Sequence, residues 1–315
     1  MNILVANHLL RQTGGTQNYT YALIVELLRL GHQVEYFTFK KGIVSRKIEE
    51  LGVRYKSRSQ YDLILANHNT SLELLHRNGL IIQTCHGMLP ALEQPSKYAD
   101  AYVSVTCEVY NHLKSKGVTS TIIHNGIDCR RFKPTRELNP QLRCVLSLCQ
   151  TDEANALIEE VCRQQQLRFM TADKRLHNVW EIEDLINQAD MVVGIGRSLY
   201  DAMACGRTVV SFDQRSYSTA LGDGYLHSGN VVKALEHNCS GRGAGRKMDA
   251  PALAEEFKHY NPADGQFLRE FALQELNIEK AVQQYLAIAQ QHGPKQSRPV
   301  NYLYAKYLHL KGRLA

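Results

Sequence analysis

Residues 1–39, MNILVANHLLRQTGGTQNYTYALIVELLRLGHQVEYFTF, hold one full period of the pattern on which the chain is built. Asn2 to Asn7 is a short apolar run of strand length, and RQTGGTQNYT (11–20) is a polar loop with paired glycines. Apolar residues then recur at helical spacing, at Tyr21, Leu23, Ile24, Leu27, Leu28 and Leu30. Gly31 stops that helix and QVEYFTF resumes a strand. The result is one βαβ unit.

The same alternation extends outward. Strands are expected at Asp62–Ala66, Leu80–Gln83, Ala101–Val105 and Thr121–Ile123, with helical stretches such as Ser71–His76 and Glu108–Lys116 between them. Strand and helix in alternation predict a parallel, doubly wound sheet. CRRFKPTRELNPQLR (129–143) is charged and holds two prolines, so it reads as an interdomain linker. A second α/β series follows. Its strands are expected at Cys144–Leu148, Leu167–Thr171, Met191–Ile195 and Thr208–Ser211, and its helices at Glu153–Gln164, Ile182–Gln188 and Leu199–Ala204. Beyond Ala250 the pattern is helical, through Pro251–His259, Gly265–Glu275 and Ile278–Gln290. A chain of 315 residues exceeds what one core usually holds, and the expected division is 1–135, 136–292 and a helical tail 293–315. That tail sets Tyr302, Tyr304, Tyr307 and Leu308 among Lys306, Lys311 and Arg313. It reads either as a helix packing back on the N-terminal domain or as one lying on an anionic membrane surface.

Composition narrows the function classes. With 44% hydrophobic and 22% charged residues and no low-complexity tract, the chain has enough apolar surface for two cores, which excludes long disorder. The formal net charge of +6 favours an anionic partner. Zinc fingers, aromatic-basic strands and long basic helices do not occur, so nucleic acid is not expected. MNILVANHLL lacks the features of a secretory signal, and no run reaches the length of a membrane span. The expected location is therefore the cytoplasm, either free or at the inner face of the plasma membrane. Eight scattered cysteines without a CxxC pair suggest buried, reduced thiols rather than a metal or redox site.

In an open α/β sheet, ligands bind beyond the carboxyl ends of the strands, and four loops there stand out. Thr13–Gly14–Gly15–Thr16 opens a helix whose unpaired N–H groups favour an anion, although paired glycines also serve simply as tight turns. Thr84–Cys85–His86–Gly87 places a histidine at a strand end, where it can hold a sugar hydroxyl or be structural. His124–Asn125–Gly126 offers either an amide side chain toward a cleft or a plain turn. The fourth, GIGRSLYDAMACG (194–206), is the strongest. Gly196 and Ser198 open a helix that could cradle a diphosphate, Arg197 could neutralise it, and Asp201 could accept ribose hydroxyls. The alternative there is a purely structural strand-turn-helix connection.

In this order and spacing, the glycine-rich Gly14–Gly31, the HG at His86–Gly87, the NGID…F.P at Asn125–Pro134 and DAMACGRTVV at Asp201–Val210 resemble the family-4 retaining glycosyltransferases across most of the chain. DGYLHSGN (223–230) and NCSGR (238–242) look like segments that recur in bacterial members of that group. The resemblance implies a GT-B fold, two Rossmann-like domains facing across a cleft that holds the reaction centre. It also implies metal-independent transfer of a sugar, with retention, from a UDP- or GDP-sugar to a glycan or lipid-linked acceptor, as in lipopolysaccharide, O-antigen or capsule synthesis. The donor would sit mainly on the C-terminal domain and the acceptor on the N-terminal one, with no cofactor beyond the nucleotide sugar. The site residues so assigned are His86 and Arg197 as catalytic, and Gly14, Gly15, Thr16, Asn125, Gly196, Arg197, Ser198, Leu199 and Asp201 as donor-binding, with no metal ligands. Gly15 would approach the donor phosphates, His86 would contact the transferred sugar, and Asp201 would replace a ribose-binding Glu.

The chain departs from the family in two further places. Val193 falls where the family has the first Glu of its pair, and SLCQTDEANAL (147–157) lacks the usual Arg and Lys. Arg197, or Lys174 and Arg175, would then supply the missing cation. Two other readings keep the fold: a catalytically silent glycan-binding or scaffold protein, and a sugar-nucleotide epimerase.

Overall fold

A computed structural model of the chain describes residues 1–172, 180–215 and 220–293. The chain forms two compact units, one made of Met1–Gly126 together with the segment that begins at Ile278, the other of Ile127–Asn277.

The first unit is built on a seven-stranded sheet. Its strands are β1 (Asn2–Ala6), β2 (Gln33–Phe37), β3 (Arg54–Tyr55), β4 (Leu63–Ala66), β5 (Leu80–Cys85), β6 (Ala101–Ser104) and β7 (Thr121–Ile122). They lie in the order β3-β2-β1-β4-β5-β6-β7, every pair parallel, with Val5 level with Tyr36 on one side and Leu65 on the other. Runs such as LILA and LIIQTC are buried along their whole length, as befits parallel strands covered on both faces. The helices are α1 (Gly15–Arg29), α2 (Ile43–Glu50), α3 (Leu72–Leu75) and α4 (Cys107–Ser115). Tyr19, Ala22, Leu23, Ile24 and Leu27 form the buried stripe of α1, and Gly31 at φ 78° lets the chain turn back into β2.

The second unit begins at Ile127 and runs through β8 (Cys144–Ser147), α5 (Asp152–Gln164), β9 (Arg168–Thr171), α6 (Ile182–Gln188), β10 (Met191–Gly194), α7 (Arg197–Ala204) and β11 (Thr208–Ser211). It continues with β12 (Leu221–Gly222), β13 (Gly224–Tyr225), α8 (Val231–Glu236), β14 (Arg246–Lys247), α9 (Ala250–Lys258) and α10 (Pro262–Glu275). Its five-stranded sheet is ordered β13-β11-β10-β8-β9, parallel except for β13, and β12 pairs with β14 apart from it. Alternation along β10 splits the core in two. Val192 packs with residues of α6, α7, α8 and α10, while Val193 packs on the other face with residues of α5 and α9.

Two boundaries differ from the sequence reading. The segment 129–143 is part of the second unit, not a linker. The buried carboxylate of Asp190 accepts hydrogen bonds from the backbone N–H groups of Asn139, Arg143 and Cys144 and from the Asn139 amide, and Phe132 and Cys129 are buried. The helix near residue 290, α11 (Ile278–His292), belongs to the first unit although the periodicity had grouped it with the second. Its buried side, Ile278, Ala281, Val282, Tyr285 and Ala289, contributes to the first core, and the Tyr285 hydroxyl bonds Tyr19 Oη at 3.1 Å and Thr84 Oγ1 at 2.7 Å. Helical periodicity reports an apolar face but not which core will receive it. The tail from residue 294, and Lys174 and Arg175, lie outside the described residues. None of the described helices is long and apolar enough to cross a membrane.

Candidate functional site

At the carboxyl edge of the first sheet, neutral polar groups interlock. Asn7, just past β1, and Asn67, just past β4, both donate from Nδ2 to Thr20 Oγ1, at 2.8 and 2.9 Å, and that hydroxyl donates to the carbonyl of Thr16. Because the Asn67 amide nitrogen is engaged with Thr20, its Oδ1 is the atom 3.0 Å from His86 Nε2, so the imidazole donates there. Tyr19 stands edge-on to the His86 ring, with centroids 5.4 Å apart. His68 Nδ1 lies 3.2 Å from the backbone N of His8, and burial, with His8 nearby, pushes its pKa down to about 4, so it is neutral at physiological pH.

Gly14, Gly15 and Thr16 open α1 as expected. Gly14 is the N-cap, with no side chain capping the helix and no acid in its first turn, and a methyl group at Gly15 would meet nothing within 4 Å. The fifteen-residue helix therefore presents an open, positive N-terminus. At Gly126, by contrast, a Cβ would lie 2.7 Å from Ile278 Cα, so the turn after Asn125 must be glycine for packing reasons. Among the described residues the Asn125 Oδ1 is buried without a hydrogen-bond partner, which costs about 1–3 kcal/mol unless a ligand donates to it.

One residue here escaped the sequence reading. Glu93 lies in the loop after β5, and its Oε2 would be 2.6 Å from a Cβ placed on Gly87. Burial raises its carboxyl to about 7. A glutamate in ALEQPSK carries no spacing signal, and the proximity arises only because the 86–96 loop folds back, with Gln94 Nε2 donating to the carbonyl of Met88 at 2.8 Å and Gln83 Nε2 to that of Gln94 at 2.9 Å.

In the second unit, β10 turns into α7 through Gly194, Ile195 and Gly196. Gly196 has φ 57°, and a Cβ there would stand 2.9 Å from Asn238 Nδ2. Its N–H donates to the carbonyl of Cys239 at 3.3 Å, and both Asn238 (φ 60°) and Cys239 (φ 44°) are left-handed without being glycine. Strain of this kind costs on the order of 1–3 kcal/mol per residue and collects around ligand sites. The strained corner is braced from several sides. Tyr200 Oη donates to Asn238 Oδ1 at 3.0 Å, Ser211 Oγ lies 3.0 Å from both Asp223 Oδ2 and the Cys239 carbonyl, and Asp223 accepts from Gly241 N. NCSGR therefore acts as the support of the Gly196 turn. No acid lies in the first turn of α7 and no side chain caps it.

The structure brings Arg197 and Asp201 together. Their side chains are 8% and 7% exposed, with Arg197 Nε 3.6 Å from Asp201 Oδ1. Part of the cation's charge is thus met within the helix. Leu199 is corrected: its side chain is fully buried in the core and its N–H donates to the Gly196 carbonyl at 3.0 Å, leaving neither end for a donor. Ser198, half-buried, remains at the opening of the turn. The helix after β8 offers no substitute, since the N-terminus of α5 carries Asp152 and Glu153 and is capped by Thr151 Oγ1.

The sequence matches no protein-family model and no curated protein. Among solved structures it is similar to a glycosyltransferase from Rickettsia africae ESF-5, at 13% identity and TM-score 0.57 over 92% of this chain and 98% of that one. It is likewise similar to the glycotransferase of kitacinnamycin, at 13% and 0.57 over 91% and 98%. A third is an alpha-glucosyltransferase in complex with UDP and a 13-mer DNA containing a HMU base, at 10% and 0.56 over 92% and 99%. At such identities the likeness is one of fold. Joined to the two Rossmann-like units described above, it shows that this chain has the GT-B fold.

Proposed function

We propose that the protein is a metal-independent glycosyltransferase of the retaining family-4 type, moving a hexosyl group from a UDP- or GDP-sugar to a glycan or lipid-linked acceptor. The setting we infer is synthesis of a bacterial surface polysaccharide, such as lipopolysaccharide, O-antigen or capsule, at the cytoplasmic face of the membrane. One observation carries the reading: in a fold shared with a UDP-bound alpha-glucosyltransferase, the Gly194–Gly196 turn opens an uncapped, acid-free helix N-terminus held in a strained, braced corner. The first-turn N–H groups of α7 and the Arg197 side chain would receive the donor diphosphate and stabilise it as it leaves. The open N-terminus of α1 at Gly14–Thr16 would add a second positive pole. His86 and the unsatisfied Asn125 Oδ1 would bind the transferred sugar.

A thermal-shift screen against UDP, GDP, ADP, CMP and dTDP and their sugar conjugates tests this reading. Stabilisation by one nucleotide family is expected, about 2.7 kcal/mol at a ligand concentration of 100 Kd. It should be indifferent to magnesium and absent in Gly196→Ala. If no nucleotide shifts the protein, the reading fails. The anomeric configuration of the product, read by NMR, tests retention.

The Arg197–Asp201 pair and the enclosure of Val193 in the core favour a second reading, a GT-B protein that binds a nucleotide sugar or glycan without transferring it. A nucleotide-dependent shift with no hydrolysis or transfer from any donor would select it.

A further inference from the structure

Of the residues on the buried side of α11, Ile278, Ala281, Val282, Tyr285 and Ala289, only Tyr285 carries a polar side-chain atom. Its hydroxyl is fully buried, accepts from Tyr19 Oη at 3.1 Å and lies 2.7 Å from Thr84 Oγ1. Thr84 is near the end of β5, two residues before His86, and the Tyr19 ring stands edge-on to the His86 imidazole. One atom of α11 thus holds His86 from two sides, through the strand that leads to it and through the ring beside it.

The same helix also bears on Asn125. Ile278 lies two turns before Tyr285, on the same side of α11. It is the residue against which Gly126 is fitted, since a Cβ on Gly126 would stand 2.7 Å from Ile278 Cα and 2.8 Å from its Cδ1. The turn that carries Asn125 therefore rests on the first turn of α11, and its seat is separated from that of Tyr285 by roughly 10 Å of helix at 1.5 Å per residue. Cohesion alone does not require the buried hydroxyls, because apolar groups of the same shape serve a core about as well. What they add is a fixed seating. Ala281, Val282 and Ala289 present a smooth stripe that tolerates a small slide or roll, whereas two hydrogen bonds converging on one buried atom do not. At the surface Arg29 approaches Glu279 of α11 at 3.6 Å, a solvent-screened pair of little weight.

We propose that α11 sets the placement of His86 relative to Asn125, with Tyr285 as the positioning residue that locks the helix in its seat. Tyr285 is buried and touches no substrate; it acts through Thr84 and Tyr19 on His86, and through the rigid helix and Ile278 on the Asn125 turn. The inference rests on the reading that His86 and Asn125 bind the transferred sugar, and it adds the element that gives the two contacts a common ruler.

NMR of the full chain labelled with nitrogen-15 in histidine and asparagine tests it, the signals of the two side chains being assigned by their loss in His86→Gln and Asn125→Ser. Tyr285→Phe deprives the buried Thr84 hydroxyl of its partner, so it should lower the melting temperature and shift the side-chain signals of both His86 and Asn125. Val282→Ala opens a cavity on the same stripe and should lower the melting temperature at least as far, yet leave both sets of signals in place. Adding Thr84→Val to Tyr285→Phe should recover part of the lost melting temperature while the signals stay displaced, because nothing then fixes the seating. The proposal is overturned if the His86 signals do not move in Tyr285→Phe, if Val282→Ala moves them as far, if they return together with stability in the double variant, or if they move while those of Asn125 do not. All of these signals are read without ligand, so the outcome is separate from that of the nucleotide screen.

Discussion

The carboxyl edges of the two sheets are furnished in opposite ways. In the first unit the loops form a web of uncharged donors and acceptors. Asn7, Asn67 and Thr20 satisfy one another, His68 is held neutral, and Glu93 is held near half-protonation at neutral pH. In the second, the Gly196 turn concentrates backbone strain, an uncapped helix terminus and a buried ion pair within a few residues. A neutral web suits hydroxyl groups, which exchange hydrogen bonds without net charge. A strained terminus with a guanidinium nearby suits a phosphate. One α/β scaffold can thus be specialised in two directions by the few residues that follow each strand.

The largest expected effect breaks the second half of the contrast. Gly196→Ala forces a side chain onto φ 57° and into Asn238, and should cost roughly 3 kcal/mol of stability as well as the nucleotide-induced shift, read by denaturant titration and thermal shift. Next comes Arg197→Ala, which leaves Asp201 buried without that cation and should cost about 2 kcal/mol. Adding Asp201→Asn should restore most of that loss, a coupling that two independent sites would not show.

The third test sharpens the first half. A carboxyl raised to about 7 in the folded state contributes stability that is present below its ordinary value of 4.5 and lost as pH rises through 7. His68, lowered to about 4 from 6.5, does the reverse, its contribution being present above 6.5 and lost as pH falls toward 4. Glu93→Gln should remove the first slope, worth roughly 1.5 kcal/mol after screening of a partly exposed group, and leave stability rising with pH between about 4 and 6.5. An unchanged pH profile in chemical denaturation would contradict the environment assigned to Glu93. The smallest effect concerns the α5 terminus, the acidic counterpart of α7. Asp152→Asn with Glu153→Gln should cost about 0.5 kcal/mol per charge in stability and leave nucleotide affinity where it was, by calorimetry. A gain in affinity would mean that α5 also faces the ligand.

Much of this is legible in the sequence. The βαβ alternation gives most of the longer strands and helices within one to three residues, though not α2 or α8, because fully buried parallel strands read as continuous apolar runs and most of the helices between them keep a 3.6-residue period. The two-residue strands Arg54–Tyr55, Leu221–Gly222 and Arg246–Lys247 left no pattern, since so short a pairing is dictated by its neighbours. The charged, proline-bearing segment 129–143 looks like a linker, and only the buried carboxylate of Asp190, some fifty residues on, shows why it is fixed. At the site, Gly196 was readable because its left-handed backbone demands glycine, whereas Gly14 and Gly15 were readable only as a glycine pair ahead of a helix, since Gly15 has open space around it. Leu199 was misread because a loop motif does not reveal which N–H the turn itself consumes. Glu93 was invisible because its environment is made by a fold-back of the loop rather than by spacing.

The first unit is discontinuous, completed by α11, and this bears on how a ribosome delivers the molecule. The hydroxyl of Tyr285 that joins Thr84 to Tyr19 is synthesised 201 residues after Thr84. At roughly 5–20 residues per second, the nascent N-terminal sheet waits about 10–40 s for its last helix. Throughout that interval the apolar surface that will receive Ile278, Val282 and Tyr285 is uncovered, while the whole of the second unit emerges and can fold. Arrest of translation immediately after Asn277 would therefore release a product whose C-terminal unit is whole and whose N-terminal unit is the one that chaperones must shelter.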